Sequence, residues 1–270
     1  MSSNKQIEYA EANQVSVLET NILHASDVIY WLNGASGESV SEMSRVETPL
    51  NVFIESQPRD LKTLSANGKL ALWRNPTQDI YIGHANEADR ARPALPSFNF
   101  TGEVWDPTRR FNPARFDLTL GTASGESVIL YPSVLGTQKS PGGLLYGRLV
   151  RESNQSPLIW SLLELEVEIS VSQSITFRAQ SDSNGDFSIS LKRLPPLPES
   201  ITDYSATLTV TGNSSNTQDT APDLASYTDW QLESTDTTDS FSLSLDLSVV
   251  PGNTARINSN GKTYLAAQAV

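Results

Sequence analysis

Glu164, Glu166 and Glu168 alternate with Leu163, Leu165, Val167 and Ile169. Paired carboxylates can do general acid–base work when their surroundings push one pKa away from the other, normally inside a cleft. At period 2 these three share the wet face of one strand, where all are solvated alike. The spacing therefore reads as a strand face; a carboxylate-pair hydrolase is the reading that a double Glu→Gln variant tests. Asp182-Ser-Asn-Gly-Asp186 has the residue types of a calcium loop. An EF-hand loop places Gly at its sixth position and Glu at its twelfth. Here Gly185 falls fourth and strand patterns flank both sides, so a hairpin turn fits better. His24 and His84 are the only 2 histidines, and neither stands in triad or metal spacing. With 0 Cys, disulfides, thiolate metal sites and cysteine nucleophiles are excluded, and 2 His cannot supply a three-histidine zinc site. No Gly-x-Gly-x-x-Gly, Walker loop, His-Glu-x-x-His or Gly-x-Ser-x-Gly occurs. The residues assign no catalytic group, no metal ligand and no cofactor, and the expectation is a protein that is not an enzyme.

Binding chemistry is better represented. Arg90, Arg92, Arg109, Arg110 and Arg115 make the middle of the chain locally basic, although Lys plus Arg is 19, Asp plus Glu is 31 and the net charge is −12. Arginines suit docking to an acidic partner surface; the plainer account is ordinary surface charge around a linker. The overall charge argues against nucleic acid as partner, which needs a clustered basic surface. Trp73, Trp105 and Trp160 sit in strand patterns and read as core, while Trp31 fits either core or surface. Trp230 stands in residues 211–240, a Ser/Thr/Asn/Asp segment with 6 acidic and 0 basic residues. That segment reads as a long exposed loop pinned by Trp230. Arg90, Arg92, Arg109, Arg110 and Trp230 are thus the candidate partner-docking residues. The competing reading, a carbohydrate- or surface-binding module, needs exposed aromatics such as Trp31, Tyr227 or Trp230 on one face.

These residues need a scaffold, and the chain predicts an all-β one. Its 270 residues suggest about two domains. The apolar fraction is 38%, no stretch approaches the ~20 apolar residues of a membrane span, and Met1–Glu8 lacks the apolar run of a signal peptide. A soluble cytoplasmic protein is expected. Residues 1–14 are a polar arm. Short β-branched and aromatic runs follow at Val15–Leu18, Asp27–Leu32, Pro49–Glu55, Lys69–Trp73 and Asp79–Gly83. In the third of these, Leu50, Val52 and Ile54 share one face. Asn67-Gly68 favours a two-residue hairpin turn. Together, residues 15–88 read as an N-terminal β module. Two prolines and mixed charge make residues 89–97 a linker. A second series fills 98–270: Phe98–Val104, Arg115–Leu120, Ser127–Tyr131, Leu144–Val150, Leu163–Ser170, Ile175–Gln180, Asp186–Leu191, Tyr204–Val210, and Phe241–Val249. The stretch Ile175–Leu191 reads as a hairpin turning at Asp182–Gly185, and Asn260–Ala267 as a last edge strand. The fold expected is two consecutive β-sandwich-like modules with long polar loops. Ala-Ser-Gly-Glu-Ser-Val occurs at 35–40 and 123–128, but the flanks do not align and a repeated module does not follow.

Gly147-Arg-Leu-Val, Leu163-Glu-Leu-Glu-Val-Glu-Ile and Phe177-Arg-Ala-Gln-Ser-Asp-Ser-Asn-Gly-Asp-Phe-Ser-Ile together resemble a carboxypeptidase-regulatory-like, transthyretin-like β-sandwich module, with a core at 144–210. In such modules the Asp-x-x-Gly-x-Phe segment supports the fold and is not a catalytic site. The resemblance implies an accessory or adhesive part rather than a particular activity. More diffusely, the order of segments Pro49–Ile54, Trp73–Ile82, Phe98–Phe116, Leu130-Tyr-Pro-Ser and then this module resembles an accessory structural protein of contractile, phage-tail-like injection systems. That resemblance implies protein subunits of a larger assembly as partners (tube, sheath, cap or baseplate), the chain itself being a possible homo-oligomer within it, and carries over no binding residues. An arm or loop would order on binding, or add a strand to a partner's open edge.

Overall fold

In the computed structural model, which describes residues 27–58, 61–66, 68–74, 97–121, 125–199 and 201–270, the protein is all-β and built from several sheets. The polar arm 1–14, the strands expected at Val15–Leu18 and Asp79–Gly83, His24, His84, Arg90, Arg92 and all but the last residue of the linker 89–97 lie outside the described residues. Among the described residues no helix is long and apolar enough to cross a membrane.

The first unit joins two small sheets. One runs β3 (Leu61–Ala66), β4 (Lys69–Arg74), β1 (Asp27–Asn33) and β7 (Gly125–Leu130), with β1 antiparallel to β4 and parallel to β7. Ala66 pairs with Lys69, and Gly68 takes the positive φ of 73° that a two-residue turn demands. The other sheet runs β2 (Asn51–Ser56), β5 (Phe98–Trp105) and β6 (Ala114–Leu120), all antiparallel. Alternation in β5 and β6 turns Phe100, Val104, Phe116 and Leu120 inward, where they meet Ile29, Trp31, Leu72 and Leu130 of the facing sheet. The Phe116 ring lies 5.5 Å from Phe100 and 6.0 Å from Trp31. At Gly102 a Cβ would come within 2.8 Å of the Phe116 ring, so only glycine lets β5 pass over it.

This pairing moves the expected boundary. Residues 98–130 do not begin the second module; β5, β6 and β7 complete the core of the first. Alternation specifies which side of a strand must be dry, not which sheet covers it. The two copies of Ala-Ser-Gly-Glu-Ser-Val also part company: residues 37–40 lie in turns, whereas residues 125–128 are in β7.

The second unit begins at β8 (Leu144–Arg151). It continues through β9 (Leu162–Ser170), β10 (Gln173–Gln180), β11 (Asp186–Ser190), β12 (Tyr204–Gly212), β13 (Thr228–Glu233), β14 (Phe241–Ser242), β15 (Ser244–Val249), β16 (Thr254–Ile257) and β17 (Leu265–Ala269). The sheet path β10-β9-β12-β13-β17-β8-β11 curls until its two ends, β10 and β11, touch. β15 adds to β12, β14 to β13 and β16 to β8. Leu163, Leu165 and Val167 of β9 are fully buried while Glu166 and Glu168 are exposed, as the period-2 pattern requires. They pack with Phe177, Leu208, Leu149, Phe187 and Leu265 into one core.

Three expectations change here. Residues 173–190 form no hairpin: β10 pairs with β9, and β11 pairs with β8. The Asp182–Gly185 turn instead carries the chain between strands at opposite ends of the curled sheet. Arg148 Nε and Nη2 of β8 clasp the Asp186 carboxylate at 2.7 and 2.9 Å, which fixes that destination. Residues 211–240 are not one exposed loop, because β13 lies within them. Finally, β17 is not an edge; it sits between β13 and β8.

The units are tied together. Asn112 Nδ2 donates to the Gln180 and Ser181 carbonyls at 3.1 and 3.2 Å, and Arg115 N–H to the Pro222 carbonyl at 2.9 Å. Arg193 pairs with the Glu38 carboxylate at 2.6 Å, and Arg178 donates to the Glu38 carbonyl at 2.8 Å. The last two contacts also cover the outer side of edge strand β10, which would otherwise invite strand pairing.

Candidate functional site

A cleft of about 810 Å³ opens between the two units. One wall is the outer face of β2 and β5. Phe53 and Glu103 are paired directly across these strands, and Trp105 follows two residues along on the same face. Trp105 Nε1 donates to Glu103 Oε2 at 3.0 Å, which lays the indole along the strand. Phe53 remains 58% exposed. The opposite wall comes from the second unit: Trp160, the Asp182–Asn184 segment, Gln218 and Asp219. Leu135, 75% exposed, and Arg109 stand at the rim.

The turn after β5 explains how Arg109 is presented. The buried Asp106 carboxylate accepts from Thr108 N–H and Oγ1 at 2.8 and 2.7 Å, and from the Arg110 and Phe111 N–H groups at 2.9 and 3.0 Å. A carboxylate that gathers so many donors stands in for regular secondary structure. It forces Arg109 into the left-handed region, with φ 57°, and Ser133 Oγ locks that residue's carbonyl at 2.6 Å. Arg109 and Arg110 are both exposed on this rigid turn.

The second wall is fixed just as tightly. Trp160 also has φ 57°, a conformation that costs a bulky side chain. Its indole N–H donates to the Thr217 carbonyl at 2.8 Å, and its own carbonyl accepts from the Tyr227 hydroxyl and, at 2.9 Å, from Gln180. Burial pushes the Tyr227 phenol well above its ordinary pKa, so it stays a donor. Asp182 Oδ1 accepts from the Asn184 and Asp186 N–H groups at 2.7 and 3.1 Å. Burial raises this carboxyl's pKa, partly offset by those donors and by Arg148.

Of the residues singled out from the sequence for docking, Arg109 and Arg110 are exposed, and Arg109 lines the cleft. Trp230 is not. It is 4% exposed and belongs to the core of the second unit, because it falls on the inward face of β13. Trp31, at 1% exposure, is core as well, and Tyr227 is spent on Trp160, so the aromatic face the carbohydrate reading asked for is not made of these three. Arg115 is paired with Glu55 at 2.6 Å. Glu164 pairs with Arg178 at 2.7 Å on the outer face of β9. Among the described residues no three His, Asp or Glu side chains converge as a metal site would require. Trp105, read as core, is half-buried on the cleft wall instead. The signal that could have found it, and Phe53, was in the alternation: both are aromatic at positions where the pattern asks for a polar residue. What the arrangement offers chemically is aromatic surface, amides and carboxylates beside one guanidinium, groups that can stack and hydrogen-bond. Comparison with known protein families, with curated proteins and with solved structures finds no match to this chain.

Proposed function

We propose that the chain is a non-enzymatic structural component of a larger protein assembly, of the contractile, phage-tail-like kind that its segment order resembles, docking through sheet edges and loops to neighbouring subunits. The observation that carries the reading is the rigid turn at 106–111, which holds Arg109 and Arg110 outward beside the exposed Phe53 and Leu135. Arginine and large apolar groups side by side on a pre-formed surface are the composition of an interface. The resemblance of residues 144–194 to a carboxypeptidase-regulatory-like module supports an accessory role.

The test is sedimentation of large particles from a lysate of the native host carrying C-terminally tagged protein. The tag is expected to pellet with sheathed tubular particles, and imaging of the label places it along them. An Arg109→Glu/Arg110→Glu variant is expected to remain in the supernatant while folding normally. Recovery of the unmodified protein only as a small species overturns the reading.

A further inference from the structure

We infer that the cleft between the two units binds a neutral pyranose oligosaccharide, with Phe53 and Trp105 as stacking faces and Glu103, Asn184 and Asp219 as hydrogen-bonding groups. The inference goes beyond the assembly role and does not depend on it. A sugar ring carries C–H groups on its faces and hydroxyls around its rim. Electron-poor C–H groups suit the negative face of an aromatic ring, and hydroxyls that both donate and accept suit amides and carboxylates. The cleft supplies both on adjoining surfaces: two aromatic side chains flank Glu103 on one wall, and Asn184 and Asp219 stand on the other.

The way the carboxylates are already engaged argues for a sugar over a basic peptide. The Asp106 and Asp182 carboxylates are spent on backbone N–H groups of their own turns, whereas Glu103 accepts from Trp105 through Oε2 and turns the same carboxylate toward the cleft. Those carboxylates stay charged, so the lining is acidic, with Glu103, Asp106, Asp182 and Asp219 against Arg109, and a ligand meets acceptors for its hydroxyls more than a site built for one fixed cation. The size of the cleft, about 810 Å³, lies within the roughly 300–1,000 Å³ usual for small-ligand sites.

Rigidity points the same way. Four non-glycine residues among those described have left-handed backbone, and two of them, Arg109 and Trp160, line this cleft. Strained conformations held by several hydrogen bonds gather where a surface must be pre-formed. A pre-formed wall loses little entropy when a ligand arrives. Gln218 Nε2 donating to the Ser183 carbonyl at 2.8 Å fixes the two loops of the second wall to each other.

The experiment is calorimetric titration of the full chain with maltotetraose, cellotetraose and chitotetraose, and with tetralysine as the basic-peptide comparison. At least one saccharide is expected to bind with little salt dependence. Trp105→Ala and Asp219→Ala are each expected to weaken it by about tenfold or more, and Trp105→Phe, which keeps a stacking face, to recover most of the loss. Circular dichroism of each variant confirms that it folds, and Asp219, being exposed, is a safe second site. No binding to any of the three saccharides overturns the inference. So does binding that both alanine variants leave unchanged, or salt-sensitive binding of tetralysine alone.

Discussion

Glu233 is fully buried, and its charge is tolerable there only because Lys262 approaches to 2.7 Å and the Asp239 N–H donates at 2.9 Å. Burial pushes this carboxyl's pKa up, but Lys262, the Asp239 N–H and Ser259 outweigh it and hold it below its ordinary 4.5. A depressed folded pKa gives stability that is fully present above the unfolded value and lost as pH falls through the folded one. The urea midpoint is therefore expected to drop as pH falls below 4.5, with a shallower drop in Glu233→Gln. Lys262 works in the opposite sense: burial lowers its pKa, but Glu233 and Glu152 raise it above 10.5, so its contribution persists until alkaline pH exceeds that value. Lys262→Met strands a buried carboxylate and is expected to cost about 3 kcal/mol, read from urea melts at pH 7. Adding Glu233→Leu to that variant should restore most of the loss, since a matched apolar pair needs no desolvation. At the cleft, Tyr227→Phe removes one of two donors to the Trp160 carbonyl. Its expected cost is about 1 kcal/mol in the same assay.

Among the elements, the Asp182–Gly185 turn has the most to answer for, because it sends β10 and β11 to opposite ends of the curled sheet. Asp182→Ala removes the acceptor of two backbone N–H groups. Hydrogen exchange at Asn184 and Asp186 should quicken in that variant, while exchange in β9 and β12 stays slow. Most strands were legible before the fold was known. Strict alternation at Leu163–Ile169 and Phe98–Val104 placed β9 and β5 and their buried faces correctly, whereas the single strand expected over Phe241–Val249 is broken at the exposed Leu243 into β14, paired with β13, and β15, paired with β12. Partner choice was not legible: a dry face is satisfied by any apolar sheet, so nothing local in Phe98–Leu130 said that it would complete the N-terminal core. Trp230 misled because its polar neighbours outweighed the short inward alternation Trp230–Leu232. The cleft was legible only in fragments. Phe53 and Trp105 broke their patterns, but they share a cleft with Asn184 and Asp219, far away in the chain, which no spacing rule reaches.

On the scale of the whole molecule, there are two separate buried clusters, one in each unit, and polar bonds run between the units. The side chains of Glu38 and Asn112 carry three of those bonds, to Arg193 and to the Gln180 and Ser181 carbonyls. A Glu38→Ala/Asn112→Ala variant is therefore expected to melt in two calorimetric steps where the unmodified protein melts in one; a single step in both would show that the remaining contacts suffice to couple the units. The position of β17 bears on biosynthesis. This strand is the last of the described strands, yet it lies in the middle of its sheet, with β8 from the start of the same unit on one side. During translation the first unit has all its strands once residue 130 clears the ribosome. The second must keep β8 waiting, its sheet edge open, until more than a hundred further residues have been synthesised. That delay is the interval in which the nascent chain is most exposed to mispairing, and the one in which a chaperone would matter.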